Sequence, residues 1–271
     1  MSSDQALERH SWGLALSGGG ARGLIHLGVL QAMDELDIRP GCIAGTSIGA
    51  IVGAFYAAGM SPAEMLKHFQ KQNWIRMFRL KPSLSAFLEM KYLSDMLESE
   101  VPTDFRALQI PFCCGVTNLN KRVYEVLSSG NVHDAVRASA AIPILFAPVK
   151  IEGQSYVDGG MTNNIPSAAI RDRCQKLIAV DVNHMATPKE LSNVKEIAIQ
   201  LFHTAVDNNS REGRELADVL IRPLLSAHYD LLDFAKSEDL FSIGYKTAME
   251  QLREYSLDQG EQSKKVLSAK P

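Results

Sequence analysis

Three short motifs hold residue types that do chemistry, at spacings that chemistry needs. Gly18-Gly19-Gly20-Ala21-Arg22-Gly23 is a G-x-G-x-x-G loop between an apolar stretch and a helical pattern. Its glycines let the backbone approach a ligand, and the helix that follows offers free N–H groups to negative charge. That physics suits a pyrophosphate and an oxyanion equally. Gly45-Thr46-Ser47-Ile48-Gly49 is a G-x-S-x-G, the pattern of a nucleophile elbow when it joins a strand to a helix. The plainer reading is that Ser47 caps that helix. Asp158-Gly159-Gly160 follows the strand-like Tyr156-Val157 and, taken alone, is a turn signal.

The elements that must position these motifs are legible in outline. Gly13–Ser17 is a short apolar strand, and Gly23–Leu36 has helical spacing up to the breaker Pro40. Cys42–Ala44 is a second strand, and Ile48–Ala58 a helix closed by Gly59. Ser61-Pro62-Ala63-Glu64 predicts a helix start with a capping box. Residues 110–117 and 122–127 are β-like around a polar turn, and 131–141 is helical. Residues 146–151 and 155–157 predict a hairpin around Gly153, and 177–182 a buried parallel strand. Residues 217–221 are a weaker strand, and 194–215 and 238–254 are helices. Strands alternate with helices, which predicts an α/β fold with a mostly parallel central sheet flanked by helices. The expected organisation is an N-terminal extension over 1–11, one domain over 12–255 and a flexible tail over 256–271.

Composition narrows the function classes. Apolar residues make up 46% and charged residues 22%, as in a globular protein. A net charge of −3 argues against a dedicated nucleic-acid binder. The dinucleotide reading of the glycine loop needs an acidic residue at the end of the second strand, where Gly45-Thr46-Ser47 stands instead. Cys42, Cys113, Cys114 and Cys174 form no C-x-x-C pair, and no His/Cys spacing matches a zinc site, so no metal or cofactor is expected. The first twelve residues lack the apolar core of a secretory signal, so the expected location is cytoplasmic. One stretch stands out: Gly41–Ala63 carries no formal charge and reaches the roughly 20 residues of a membrane span. A strand, elbow and helix inside it would interrupt backbone bonding in lipid, so burial in a protein core is the expectation.

Taken together and in this order, the glycine loop with arginine (GGGARG), the elbow GTSIG and the Asp-Gly-Gly resemble the patatin-like phospholipase family. Ser139-Ala140-Ala141-Ile142-Pro143, Asn163-Asn164-Ile165-Pro166 and Gly244-Tyr245 add lesser similarities, and the resemblance covers residues 12 to about 250. It implies a patatin-like three-layer fold and a serine acyl hydrolase acting on lipid acyl esters. Ser47 would be the nucleophile and Asp158 the base of a Ser–Asp dyad, with no histidine. Backbone N–H groups of Gly19 and Gly20, with Gly18 shaping the loop, would form the oxyanion hole. Arg22 and Gly23 would anchor that loop, Gly45 and Gly49 would shape the elbow, and Gly159 and Gly160 would form the turn after the base. A carboxylate of ordinary pKa is a weak base, so Asp158 is expected to be mostly buried.

Two rivals remain. His184, after the predicted strand 177–182, would complete a Ser–His–Asp order. Alternatively, the scaffold binds lipid or regulates without turnover. Trp74, Met77, Phe78, Leu80 and Phe87 interleave with Arg76, Arg79 and Lys81, which makes residues 74–91 a candidate for peripheral membrane contact or a lid. The bland reading of that segment is ordinary packing with a solvated basic edge.

Overall fold

The computed structural model describes residues 9–71, 90–143, 145–186, 193–226, 229 and 234–268. The segment 74–91 lies almost wholly outside them. Along the chain run β1 (His10–Leu16), α1 (Leu24–Glu35), β2 (Pro40–Thr46), α2 (Ile48–Ala57), α3 (Pro62–Lys71) and α4 (Lys91–Glu100). Then come β3 (Phe112–Asn118), β4 (Val123–Leu127), α5 (Val132–Ser139), β5 (Val149–Ile151), β6 (Gln154–Asp158) and β7 (Cys174–Val180). The last are α6 (Val194–Asn209), α7 (Arg211–Glu215), β8 (Val219–Ile221) and α8 (Ser237–Ser268).

The strands form one sheet in the order β5-β6-β3-β2-β1-β7-β8, with β4 also paired to β3. The central pairs β3–β2, β2–β1, β1–β7 and β7–β8 are parallel, and β3–β4, β3–β6 and β5–β6 are antiparallel. The architecture is thus the expected α/β fold with a mostly parallel centre. Alternation along the central strands splits the core in two. Leu14, Leu16, Ile43, Cys114, Ile178 and Val180 point to a large core with α1, α2 and α8. Ala15, Cys42, Ala44, Cys113 and Ala179 point to the other face, where Ile165 and Ile170 cover them.

The uncharged run is the centre of this core. Residues 42–50 and 52–57 are all buried, which explains why no charge is found there. Across the same core α1 and α8 cross closely. A Cβ on Gly28 would meet the backbone carbonyl of Phe241, and one on Gly244 that of Ile25.

Local signals held where they had a mechanism. At the start of α3 the Ser61 N–H donates to Glu64 Oε2 (3.0 Å) and the Glu64 N–H to Ser61 Oγ (3.3 Å), the reciprocal capping box. Three expectations changed. The helix read over 194–215 breaks at Ser210, whose hydroxyl donates to the Val206 carbonyl (2.6 Å). Helix α4 was not foreseen. The final helix continues to Ser268 instead of ending near Glu254. Just past Glu254, Tyr255 packs edge-on against Trp12 (6.0 Å between centroids).

Candidate active site

The site is assembled by β3. This strand pairs with β2 through Phe112–Gly115, with β6 through Val116–Asn118, and with β4 through Cys114–Asn118. Because β4 overlaps both, β2 and β6 must lie end to end along the opposite edge of β3. Thr46, the last residue of β2, is paired with Gly115, and Asp158, the last of β6, with Val116. Successive residues of one strand therefore bring Ser47 and Asp158 together.

Ser47 sits on a strained turn with φ 55° and ψ −123°. A non-glycine residue in such a region costs of order 1–3 kcal/mol and persists only where its surroundings impose it. Gly45 and Gly49 permit the turn: a Cβ on either would run into backbone, of Gly49 for the first and of Leu16 and Ser17 for the second. The Ser47 N–H donates to Ser139 Oγ (2.9 Å), and that hydroxyl donates to the Gly115 carbonyl (2.7 Å). Ser139 thus ties the elbow to β3. The Ser47 side chain makes no capping bond to α2, which removes the helix-cap reading.

Asp158 is buried at 6% exposure. Its N–H donates to the Ala141 carbonyl (3.0 Å), and its own carbonyl accepts from Thr117 Oγ1 (2.9 Å). Its Oδ1 accepts from the Gly160 N–H (2.8 Å). Burial pushes the Asp158 carboxyl up to about 6, against hydrogen bonds from Ser47 and from the Gly160 N–H that lower it. The sequence expectation of a buried aspartate agrees with this. Asp158 also caps the short 3-10 turn Gly159–Met161, so the turn reading of Asp-Gly-Gly is correct locally.

The glycine loop forms the facing wall. The Gly18 N–H is taken by the Asn164 carbonyl (3.2 Å), so Gly18 shapes the loop and has no free donor. Among the described residues no protein acceptor takes the N–H of Gly19 or Gly20. Arg22 is 1% exposed, and its Nε donates to the Gly19 carbonyl (3.3 Å). A Cβ on Gly23 would collide with Ile48, which packs the loop against the elbow helix.

Sequence reasoning assigned no role to three further residues. Ser139 was noted within a motif and proves to hold the elbow. Asn209, at the end of α6, donates to the Gly160 carbonyl (2.9 Å) and accepts from the Asn164 N–H (3.1 Å), joining the turn after Asp158 to the segment that holds Gly18. Asn183 donates to the Gly18 carbonyl (2.6 Å). Neither asparagine stands in a pattern that sequence alone would single out.

Gly18, Gly19, Gly20, Ser47, Asp158 and Gly160, with Asn164 and Asn183, line a pocket of about 150 Å³. Ile142, Pro143, Leu145, Met161, Phe202 and Val206 supply an apolar wall. His184 is not among its lining residues. His26, on α1, is buried with Nε2 against the Ser17 carbonyl (2.9 Å), and burial lowers its pKa to about 4. All four cysteines are free and buried, and burial pushes the Cys113 thiol up to about 12 and that of Cys42 to about 11, leaving them protonated and unreactive. Among the described residues no group of three His, Cys, Asp or Glu could hold a metal, and no helix is long and apolar enough to cross a membrane.

Known proteins resemble this chain over most of its length. Lysophospholipase NTE1 of Saccharomyces cerevisiae is 29% identical over 266 residues, 86% of this chain and 16% of that protein. Lysophospholipase NTE1 of Coccidioides immitis is 29% identical over 278 residues, 89% of this chain and 18% of that protein. The chain spans less than a fifth of the length of these curated relatives. The crystal structure of VipD from Legionella pneumophila shares the fold, with a TM-score of 0.52 at 15% identity over 91% of this chain and 66% of VipD. A model of the patatin-like phospholipase family matches residues 14–169, more than half of the chain and the whole span from glycine loop to Asp158. The chain belongs to the patatin-like phospholipase family.

Proposed function

We propose that this chain is a serine acyl hydrolase that cleaves lipid acyl esters through Ser47 and Asp158. The observation that carries this reading is the meeting of a strained, buried serine and a buried carboxylate of raised pKa in the lining of one apolar pocket. A carboxylate with pKa near 6 is a better base than an ordinary one and is still mostly ionised at neutral pH. Asp158 takes the hydroxyl proton as Ser47 Oγ attacks the ester carbonyl. The N–H groups of Gly19 and Gly20 stabilise the oxyanion that forms, a contribution typically worth about 3–4 kcal/mol per donor. Collapse of the intermediate breaks the ester bond, and Asp158 returns the proton to the departing alcohol. Water, deprotonated by Asp158, then releases the acyl group from Ser47.

The pocket supports an acyl chain more than a head group. Its side walls are Ile142, Pro143, Leu145, Phe202 and Val206, and the exposed Met161 and Phe202 suit entry from an apolar phase. The names of the fungal relatives favour lysophospholipids as the first substrates to assay. Peripheral membrane contact belongs to the same proposal; of the segment 74–91 first considered for it, residues 74–89 lie outside the described residues.

The test is turnover of a nitrophenyl ester and of lysophospholipid and diacyl phospholipid by the wild type, Ser47→Ala and Asp158→Asn. Both variants should lose activity, and a fluorophosphonate probe should label wild type at Ser47. Turnover surviving either substitution would discard the dyad, while a wild type that neither turns over nor labels would favour a binding protein. Loss of activity in His184→Ala alone would revive the triad.

A further inference from the structure

Resting on the acyl-hydrolase reading above, we propose that Asn183 is a positioning residue that aims the Gly19 N–H at the oxyanion. In a trans peptide the C=O of one residue and the N–H of the next point in opposite directions. Fixing the Gly18 carbonyl therefore fixes the Gly19 N–H. Asn183 Nδ2 donates to the Gly18 carbonyl at 2.6 Å, a short contact for an amide donor. The other end of Gly18 is held as well, since its N–H donates to the Asn164 carbonyl (3.2 Å). A glycine between two such grips loses the rotational freedom that would let the donor swing. Gly19 lines the pocket, and no protein acceptor among the described residues takes its N–H. Arg22 does the same for the next peptide: its Nε on the Gly19 carbonyl (3.3 Å) sets the Gly20 N–H.

Asn183 is itself braced. Its backbone N–H donates to Asp181 Oδ1 (3.0 Å). The other oxygen of Asp181 meets Arg214 (3.1 Å) and Arg222 (3.0 Å), and both arginines also reach Asp207 (2.8 and 2.9 Å). Asp181 is essentially unexposed, so two cations compensate its burial. Four ionic contacts, joining Asp181 after β7, Asp207 in α6, Arg214 in α7 and Arg222 after β8, thus brace the residue that holds the loop. Preorganised donors matter because they need no reorganisation when charge develops. A loop of three consecutive glycines has no stiffness of its own and needs such a brace.

The experiment compares the wild type with Asn183→Ala and the size-preserving Asn183→Asp, which removes the donor. The readouts are kcat and KM on a soluble nitrophenyl ester, affinity for an alkyl boronic acid that adds Ser47 as a tetrahedral anion, and the folded fraction by circular dichroism. Both variants should stay folded. Their kcat should fall by about 10- to 100-fold, part of the loss seen when an oxyanion donor is removed. Boronate affinity should weaken by a similar factor, with KM within about threefold of wild type. Unchanged kcat and boronate affinity, a rise in KM alone, or a loss that merely follows the folded fraction would overturn the assignment. Wild-type turnover that Ser47→Ala abolishes is measured first. An inert wild type sinks the hydrolase reading and Asn183 with it, whereas an active wild type matched by the Asn183 variants sinks Asn183 alone.

Discussion

Thr46 and Asp158 are paired with adjacent residues of β3, Gly115 and Val116. This one register relation places the side chain after Thr46 beside a carboxylate more than a hundred residues away in sequence. Because a strand's side chains alternate with period two, a slip of one residue would turn Asp158 to the other face. The site is therefore as stable as the β3–β6 register, and its predictions follow from that arrangement.

The first concerns pH and rate. In the proposed dyad Asp158 must be ionised to accept the serine proton, and burial raises its pKa to about 6. The kcat/KM for a soluble ester should rise between pH 5 and 7 with an apparent pKa of about 6 and then level off. An acid limb near pH 4 would mean that the free enzyme's base is not this buried carboxyl.

The same shift has a consequence for stability. A carboxyl whose folded pKa lies above its unfolded value favours the fold when protonated. That contribution is complete below about pH 4 and is lost as pH rises through about 6. Asp158→Asn escapes the ionisation. Its unfolding free energy, followed by denaturant titration, should gain on the wild type between pH 4 and pH 8 by an amount of the order of 2–3 kcal/mol, while its activity is lost. A difference that stays flat across that range would contradict the burial of a charged Asp158.

Ser139 offers a prediction about the elbow. Its hydroxyl accepts from the Ser47 N–H and donates to the Gly115 carbonyl, and the side chain is fully buried. Ser139→Ala removes both hydrogen bonds in a buried setting, a cost of about 1–3 kcal/mol. Thermal unfolding should show that loss, and kcat should fall more than KM changes, since the strained φ of Ser47 loses a restraint. Unaltered melting and turnover would show that the elbow holds itself.

Two glycines in one helix should respond differently. A Cβ on Gly49 would meet the backbone carbonyls of Leu16 and Ser17, which sit directly before the glycine loop. Gly49→Ala should destabilise by about 1–3 kcal/mol or more and cut activity, because β1 and α2 must part. A Cβ on Gly53 meets the Phe112 ring at 3.0 Å, a side chain that can shift. Gly53→Ala should cost less and leave kcat near wild type. Denaturant titration and ester turnover of the two variants make the comparison.

How much was legible in the sequence depends on the range of the interaction. The strand–elbow–helix around Ser47, the capping box at Ser61 and Glu64, and the alternation of strands with helices are local. Each follows from glycines without Cβ atoms, a cap oxygen or a periodic apolar pattern within a few residues. The uncharged run from Gly41 to Ala63 marked the buried centre for the same reason: no charge can be hidden there without a partner.

What only the tertiary structure decided is which distant groups meet. The end-to-end placement of β2 and β6 along β3, the grip of Asn183 on Gly18 and the bridge of Asn209 between Gly160 and Asn164 join residues from separate elements. An asparagine carries no periodicity or spacing that announces its partner. Its amide is specified by where the folded backbone leaves a carbonyl, and that position exists only once the sheet has set its register. The sequence by itself determined the nucleophile, the glycine loop and the aspartate as candidates. The fold decided that the aspartate loses water, that its pKa rises, and that the loop's donors are held in place.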